Sequence, residues 1–361
     1  MTRVLNFNPG PSALPLPALE RARRELLDID DSGMSIVEHS HRGPVYDAIH
    51  EEALSLVREL LSVPDTHEIL FLQGGATAQF ALVPMNLRRP GQSADYLVTG
   101  VWGKKAIKEA QHAGETRLVC STEEPDGKFF RVPRADEMQF DPAAAYVHFT
   151  SNNTVMGTQF QQFPQSGNVP VVVDMSSDIV ARPVDVSKFG LIYAGAQKNM
   201  GISGVTVVIA RKDLIDGGRE DIPYVFQYRT QARARSLGNT VNTFGVYMLR
   251  NVLAWLKEQG GVSTIEAVNL RKADLLYSVL EERSDIFRLP VERASRSTMN
   301  VVWNLRDGEA EKACVAEATR AGLVGLKGHR IVGGLRASLY NAVSEEAVAR
   351  LCEFLRSYEP K

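Results

Sequence analysis

The sequence predicts an α/β protein with a large domain built on a mostly parallel sheet and a smaller C-terminal α+β domain. Short apolar runs alternate with helical stretches as far as residue 210 of the 361-residue chain. Near-continuous apolar strands between helices are typical of a parallel sheet covered on both faces. The length suits two domains. We predict an N-terminal arm over 1–15, the large domain over 16–259 and the small domain over 260–361.

Seven strand segments and four helices are predicted in the large domain before residue 211. Pro44 suits a first helical turn, and Gly74-Gly75 ends the first strand where a helix follows. The helices are 16–29, 44–61, a segment ending near 86, and 102–112. The strands are EILFL (68–72), DYLVTG (95–100), TRLVCS (116–121), AYVHFT (145–150), VPVVVDM (169–175), LIYAG (191–195) and GVTVVIA (204–210).

The pattern changes after residue 242. Residues 244–259 read as one long amphipathic helix that Gly260-Gly261 ends, and a second helix follows over 263–283. Alternating segments come next, STMNVVWNL (297–305) and LRASLYN (335–341), before a last helix near 345–358. This order of elements predicts the smaller α+β domain.

Composition and charge exclude several classes of protein. Hydrophobic residues make up 44% and charged residues 23% of the chain, and the formal net charge of −2 gives no basic excess for nucleic acid. The apolar runs are too short to span a bilayer, and the N-terminus lacks the apolar core of a secretory signal. Cys120, Cys314 and Cys352 are too far apart for a disulfide framework or a metal motif. We therefore expect a cytoplasmic enzyme without a metal.

Candidate functional residues follow the strands, because ligands of open parallel sheets bind beyond the carboxyl ends of the strands. The segment Gln73–Thr77 joins a strand to a helix, and its glycines and free amides suit an anion; a plain tight turn explains it equally well. Asp174 ends another strand, where its carboxylate could cap a helix, bind a metal or pair with a cationic group of a ligand. Trp102 suits either the core or stacking on an aromatic ligand.

Lys198 follows the strand LIYAG and is the candidate nucleophile. It lies in YAGAQKNMG, outside any run of charges. A desolvated lysine has a lowered pKa and attacks carbonyl groups. Together the anion cradle, the aromatic ring, Asp174 and Lys198 match the needs of pyridoxal 5′-phosphate. Its phosphate needs amides, its ring a stacking face, its pyridinium nitrogen an acid and its aldehyde an amine.

The sequence resembles the class V aminotransferases, which are pyridoxal-phosphate enzymes of fold type I with a seven-stranded type of sheet. Within them it resembles the branch that exchanges an amino group between glutamate and 3-phosphooxypyruvate, giving O-phosphoserine and 2-oxoglutarate in serine biosynthesis. The resemblance runs essentially end to end. It is carried by FNPGPSALP (7–15), EHSHRG (38–43), GGATAQF (74–80), YAGAQKNMG (193–201), GNTVNTF (238–244) and KGHRIVGGLRASLYNA (327–342).

The resemblance implies a role in cofactor binding for residues at the matching positions. Lys198 would bind the cofactor as a Schiff base and then transfer the substrate proton, and Asp174 would pair with the pyridinium nitrogen. Trp102 would stack on the ring, and Thr154 would contact its hydroxyl. The remaining residues would hold the cofactor phosphate: Ala76, Thr77, Ser177 and Gln197 from one subunit, and Asn239 and Thr240 from the other subunit of a homodimer with shared active sites.

Arg336 and two basic clusters, residues 41–42 and 329–330, would bind the substrates. Arg336 would grip the α-carboxylate bidentately, as its planar guanidinium allows. The pocket for the substrate phosphate or the glutamate side chain would consist of His41, Arg42, His329 and Arg330. Some relatives carry a glycine-arginine pair where this chain has Ala76-Thr77, so Thr77 cannot supply that charge. Taken alone, each of these Arg and His residues could also be an ordinary solvated charge at the protein surface.

Three alternatives remain at the level of sequence. A related aminotransferase of another small acid, such as an alanine–glyoxylate type, would not need His41, Arg42 and His329 together. A non-catalytic pyridoxal-phosphate-binding protein would not need Lys198, Asp174 and Arg336 together. A nucleotide-binding protein would need a GxGxxG or Walker pattern, which the Gly74-Gly75 turn lacks. Use of 4-phosphohydroxythreonine, in pyridoxine biosynthesis, is left open by the sequence.

Overall fold

The computed structural model describes residues 3–360 as an α/β fold. Its strands are β1 (Leu5–Asn6), β2 (His67–Leu72), β3 (Ala94–Val98), β4 (Thr116–Ser121), β5 (Val147–Thr150), β6 (Asn152–Asn153), β7 (Thr158–Gln159), β8 (Val171–Asp174), β9 (Leu191–Gly195), β10 (Thr206–Arg211), β11 (Asn300–Trp303), β12 (Leu323–Val324) and β13 (Leu335–Ser338). All seven predicted strands of the large domain are present.

The helices follow the predicted pattern in most places. They are α1 (Leu16–Glu25), α2 (Pro44–Leu60), α3 (Gly75–Leu87), α4 (Val101–Gln111), α5 (Lys212–Asp216), α6 (Tyr228–Arg233), α7 (Thr243–Glu258), α8 (Gly261–Glu282), α9 (Gly308–Arg320) and α10 (Glu345–Ser357). Helix α1 ends before the predicted residue 29, and the chain then turns through Asp30 and Asp31, which both have positive φ. Helices α5, α6 and α9 were not predicted from the sequence.

The main sheet has seven strands in the order β2-β10-β9-β8-β5-β3-β4. Strands β4, β3, β5, β8 and β9 pair in parallel, which confirms the predicted mostly parallel sheet. Strand β10 runs antiparallel to both β9 and β2. The connection from β9 to β10, residues 196–205, contains no crossover helix, and a short connection of this kind suits an antiparallel return.

The carboxyl ends of the parallel strands place the predicted site residues at one edge of the sheet. Asp174 is the last residue of β8, and it lies between Thr150 of β5 and Tyr193 of β9 in the strand register. Lys198 lies three residues after the end of β9, and Trp102 lies in the first turn of α4, just beyond β3. Helices α2 and α7 pack together on one face of the sheet, and α3 and α4 pack together on the other face.

The C-terminal part has an apolar cluster of its own. It joins residues of α8, α9, α10, β11 and β13, and Phe7 from the N-terminal segment belongs to it. Strand β1 also pairs in parallel with β12. The N-terminal segment is therefore attached to the C-terminal part, and the proposed boundaries at residues 15 and 259 stay a prediction. Among the described residues, no helix is long and apolar enough to cross a membrane.

Candidate active site

Lys198 lies in the turn after β9, and its amine points at a threonine. Its Nζ donates a hydrogen bond of 2.6 Å to Thr154 Oγ1. Burial lowers the pKa of Lys198 to about 8; Asp174 and Asp178 oppose this shift, and Arg336 adds to it. At pH 8 about half of such lysines are neutral, and the neutral amine can act as a nucleophile or a base.

Asp174 provides the buried carboxylate of the site and is only 4% exposed. The amide of Ser176 donates 2.9 Å to its Oδ1. Burial raises the pKa of Asp174, while Lys198 and the hydrogen bonds from Ser176 act in the opposite direction. A carboxylate in this position can pair with a cationic group of a ligand, because water solvates it poorly.

Thr154 connects Lys198 to Arg336. It lies in the tight turn between β6 and β7, a hairpin that sequence analysis missed. Gly157 in this turn has φ 74, and a Cβ there would lie 2.7 Å from Val302 Cγ2, so the turn requires glycine. The Thr154 hydroxyl accepts from Lys198, and its carbonyl oxygen accepts 3.0 Å from Arg336 Nη1.

Arg336 is a buried cation that has no carboxylate counter-ion among the described residues. It lies in β13, opposite Val302 of β11, and is 5% exposed. Within residues 3–360 it makes no ion pair with a carboxylate, and its Nε is buried without a hydrogen-bond partner. Burial lowers the pKa of Arg336, although a guanidinium stays charged. A buried, unpaired guanidinium is costly and is therefore suited to an anionic ligand.

Trp102 and the start of α3 supply the remaining features of the site. The indole N–H of Trp102 is buried and has no partner among the described residues. Its ring packs with Val155 and Met156, which follow Thr154. Gly74 has φ 90 and Gly75 has φ 65, and a Cβ on Gly75 would meet nothing within 4 Å. The space beside Gly75 is therefore open, and Ala76 and Thr77 follow it in the first turn of α3, where backbone amides have no partner within the helix.

Two of the predicted phosphate ligands differ in their surroundings. Gln197 precedes Lys198, and its side chain lies against Gly195, where a Cβ would come within 2.5 Å of Gln197 Oε1. Ser177 is 2% exposed, and its hydroxyl donates 2.7 Å to Asn152 O while it accepts 2.8 Å from Asn152 Nδ2. The Ser177 hydroxyl is thus engaged on both sides inside the protein, and its role as a ligand of the cofactor phosphate stays a prediction.

Asn239 and Thr240 lie beside the entrance to α3 of their own chain. Asn239 Nδ2 donates 3.3 Å to Gln73 Oε1, and Gln73 Nε2 donates 3.3 Å to Thr240 O. A cavity of about 470 Å³ adjoins them, and Gln73, Gly74, Tyr228 and Asn239 are part of its lining. The two residues thus border the predicted anion cradle.

The histidine and arginine clusters are placed differently. His329 lies near Arg336: burial lowers the pKa of His329, and the positive charges of Arg336, Arg330 and Lys105 add to this effect. His41 has a buried Nε2 that finds no hydrogen-bond partner within residues 3–360, and Arg42 is exposed. Among the described residues, no hydrogen bond or ion pair joins residues 41–42 to Lys198, Thr154 or Arg336.

Asparagines that sequence analysis missed connect the lysine turn to the segment after β13. Asn199 follows Lys198, and its Oδ1 accepts 3.0 Å from the amide of Asn341. Asn341 in turn accepts 2.9 Å from Asn269 of α8. Lys272 of α8 donates to the carbonyls of Leu339, Tyr340 and Val343 at 2.9 to 3.0 Å. The only signal in the sequence was the position of Asn199, directly beside the candidate nucleophile.

The N-terminal segment also reaches the lysine turn. Ser12 Oγ donates 2.5 Å to the carbonyl of Lys198, and Ser12 N donates 3.1 Å to the carbonyl of Gln197. Gly10 has φ 137, which L side chains rarely adopt, and a Cβ there would lie 3.2 Å from Lys198 Cγ, so both features favour glycine. The motif FNPGPSALP therefore has a structural role beside Lys198 that its composition alone does not indicate.

Comparison with known proteins gives the family of this chain. The model of the class V aminotransferase family matches residues 4–351, and the chain therefore belongs to that family. A phosphoserine aminotransferase of Geobacillus kaustophilus is 51% identical over 99% of both chains. The structure of the phosphoserine aminotransferase from Bacillus circulans subsp. alkalophilus superposes with a TM-score of 0.95 at 47% identity, covering 98% of this chain and 97% of that one.

A more distant relative gives the same result. The structure of a pyridoxal-phosphate-bound phosphoserine aminotransferase from Trichomonas vaginalis has a TM-score of 0.93 at 36% identity, and it covers 98% of this chain and all of its own. The chain is thus a member of the phosphoserine aminotransferases within class V. The resemblance inferred from the sequence motifs is confirmed, and so is the fold of type I.

Proposed function

We propose that this protein transfers the amino group of glutamate to 3-phosphooxypyruvate, reversibly, and forms O-phosphoserine and 2-oxoglutarate for serine biosynthesis. The observation that carries the proposal is the link from Lys198 through Thr154 to Arg336. Thr154 contacts both the amine of Lys198 and the guanidinium of Arg336, which makes no ion pair within residues 3–360. A reaction at the Cα of an α-amino acid needs an amine that moves the proton and a cation that binds the α-carboxylate.

The residues of the site fit pyridoxal 5′-phosphate as the cofactor. When bound, this group supplies a reactive carbonyl and an electron sink. Lys198 would hold it covalently, Asp174 would pair with its ring nitrogen, and Trp102 would stack on its ring. Thr154 would reach the ring hydroxyl. The open space before α3 suits its phosphate, which the amides of Ala76 and Thr77 and the side chain of Gln197 would hold.

Lys198 also moves the proton in this proposal. Once the amino group of the donor has displaced Lys198 from the cofactor, the freed Nζ would take the proton from the Cα of the donor and later return a proton on the path to product. The pKa of about 8 suits both directions, because the amine and the ammonium forms are both available near that pH. Thr154 accepts a hydrogen bond from Nζ and so limits where the amine can point.

Arg336 and the two basic clusters would orient the substrates. All four substrates and products carry a carboxylate next to the reacting carbon, and the guanidinium of Arg336 can bind it bidentately. His41, Arg42, His329 and Arg330 would bind the other end, which is a phosphate in one substrate pair and a carboxylate in the other. Because Thr77 has no charge, this end depends on those clusters.

We further propose a homodimer in the cytoplasm. Asn239 and Thr240 of each subunit would reach the cofactor phosphate in the other. Large exposed side chains near this loop, Tyr224 at 64% and Phe226 at 45%, favour a surface that a second copy covers. The three cysteines are free thiols, which is the usual state in a reducing compartment.

The test is a visible spectrum of the purified, cofactor-loaded protein during titration with O-phosphoserine, without any keto acid. We expect the yellow colour to convert to the pyridoxamine form at low O-phosphoserine concentration but not at the same concentration of alanine. A yellow protein that ignores O-phosphoserine would assign another amino donor. A protein that stays colourless after added pyridoxal phosphate would refute the cofactor. A parallel titration with 4-phosphohydroxythreonine tests a role in pyridoxine biosynthesis.

Arg42→Ala is expected to weaken the use of O-phosphoserine by about tenfold in kcat/KM, the loss typical of one charge-assisted contact, and to change alanine little. The reason is that alanine has no anionic side chain for Arg42 to bind. Steady-state kinetics with both amino donors measures the difference. Equal losses for the two donors would exclude Arg42 from the phosphate pocket.

A further inference from the structure

Lys105 carries a positive charge at the rim of the candidate site, on helix α4 three residues after Trp102. Its Nζ lies 4.7 Å from the centre of the Trp102 ring, over the ring face. Among residues 3–360 it makes no ion pair, whereas the preceding Lys104 pairs with Glu123 at 2.5 Å. The Trp102 ring attracts the Lys105 ammonium and so restrains it at the site, because an aromatic face carries partial negative charge.

The loop that carries His329 and Arg330 approaches the same helix. Val332 of this loop packs in one apolar cluster with Trp102 and Ile107 of α4. The loop turns tightly here, since the amide of Val332 donates 2.9 Å to His329 O and the amide of Ile331 donates 3.3 Å to His329 Nδ1. His329 is therefore held close to α4. The positive charge of Lys105 also contributes to the lowered pKa of His329, after burial and two arginines.

We propose that Lys105 is a specificity-determining residue that adds positive charge at the phosphate end of the substrate pocket. This inference rests on the proposed function and names a residue that the motifs did not single out. Lys105, His329 and Arg330 would together face the phosphate, and Trp102 would keep the ammonium in place.

The charge of the substrate decides what Lys105 contributes. A phosphate monoester carries close to two negative charges above its second pKa of about 6, and a carboxylate carries one. At a fixed distance the Coulomb energy is proportional to the charge of the ligand, so a nearby cation stabilises bound phosphate about twice as much as bound carboxylate. A single lysine can therefore shift the preference of a pocket that has to accept both groups.

The experiment is steady-state kinetics of the cofactor-loaded Lys105→Met enzyme at pH 8. We expect the KM for O-phosphoserine to rise about tenfold and the KM for glutamate about threefold, with the two logarithms in the ratio of the charges. Lys105→Arg should restore most of both values because it keeps a cation that stacks on Trp102. Added salt should reduce the difference between wild type and Lys105→Met.

Lys104→Met is the matched control, because it removes a charge from the adjacent position that is already paired with Glu123. We expect wild-type KM values for this variant. Unchanged KM values in Lys105→Met would overturn the proposal, and so would equal factors for the two substrates, which would indicate an effect through Trp102 alone. A wild-type enzyme that does not use O-phosphoserine would instead refute the proposed function, and the phosphate role of Lys105 with it.

Discussion

Lys198→Ala is expected to reduce turnover with any amino donor by roughly 10⁴-fold or more, because the protein loses both its nucleophile and its proton carrier. The chain should still fold, since within residues 3–360 the Lys198 side chain makes one hydrogen bond, to Thr154, and its turn is also held by Asn199 and Ser12. Turnover is measured with glutamate and with O-phosphoserine, and the melting temperature checks the fold.

Lys198→Arg is the matched control for this substitution. It keeps a cation beside Asp174 and Thr154 but has no amine that can form a covalent bond to a carbonyl. We expect it to be as inactive as Lys198→Ala, which would separate the chemistry of the amine from its charge. Wild-type turnover in either variant would show that another residue performs the reaction.

The strands of the large domain could be predicted because their apolar runs are short and bounded by glycine or polar residues. LIYAG and TRLVCS match β9 and β4 residue for residue. Periodicity does not encode strand direction, so the reversal of β10 could not be predicted from its apolar run. It depends on a long-range choice of partner, with β10 inserted between β9 and β2.

The residues of the candidate site also fall into those that have a local signal in the sequence and those that depend on long-range contacts. Lys198, Asp174 and Trp102 could be found because they lie at or just after the ends of strands, and the sheet brings strand ends together. Thr154 and Arg336 were named through the family resemblance. Their contact depends on a turn at Gly157 that packs against β11, and pairs of this kind at a separation of 182 residues leave no local signal. The same reason explains why Asn341 was missed.

Lys105 shows a further limit of motif reasoning. It lies three residues after Trp102, in a stretch of the sequence with three lysines within five residues. Such a stretch suits a solvated helix face, and nothing in it separates Lys105 from Lys104. Only the structure distinguishes the lysine that pairs with Glu123 from the lysine that lies over an aromatic ring beside a histidine loop.

Arg336→Ala is expected to lower kcat/KM for glutamate, O-phosphoserine and alanine alike, by about 10²-fold, because all three carry the α-carboxylate. That factor corresponds to about 3 kcal/mol, the range for two hydrogen bonds between charged groups. Arg336→Lys should recover only part of the loss, since an ammonium cannot bind both carboxylate oxygens in one plane. Steady-state kinetics with the three donors measures the pattern.

Arg330→Ala provides the contrast, because it removes a cation from the predicted phosphate end. We expect it to affect O-phosphoserine and leave alanine nearly unchanged. Loss of activity with O-phosphoserine alone in Arg336→Ala would place that residue at the side-chain end and contradict the assignment.

Stability gives an independent readout: Arg336 is a buried cation without a carboxylate partner among residues 3–360, so Ala should maintain or raise the melting temperature of the ligand-free protein. A residue kept for packing alone would lower it, whereas a residue kept for binding an anion lowers stability until its ligand is present.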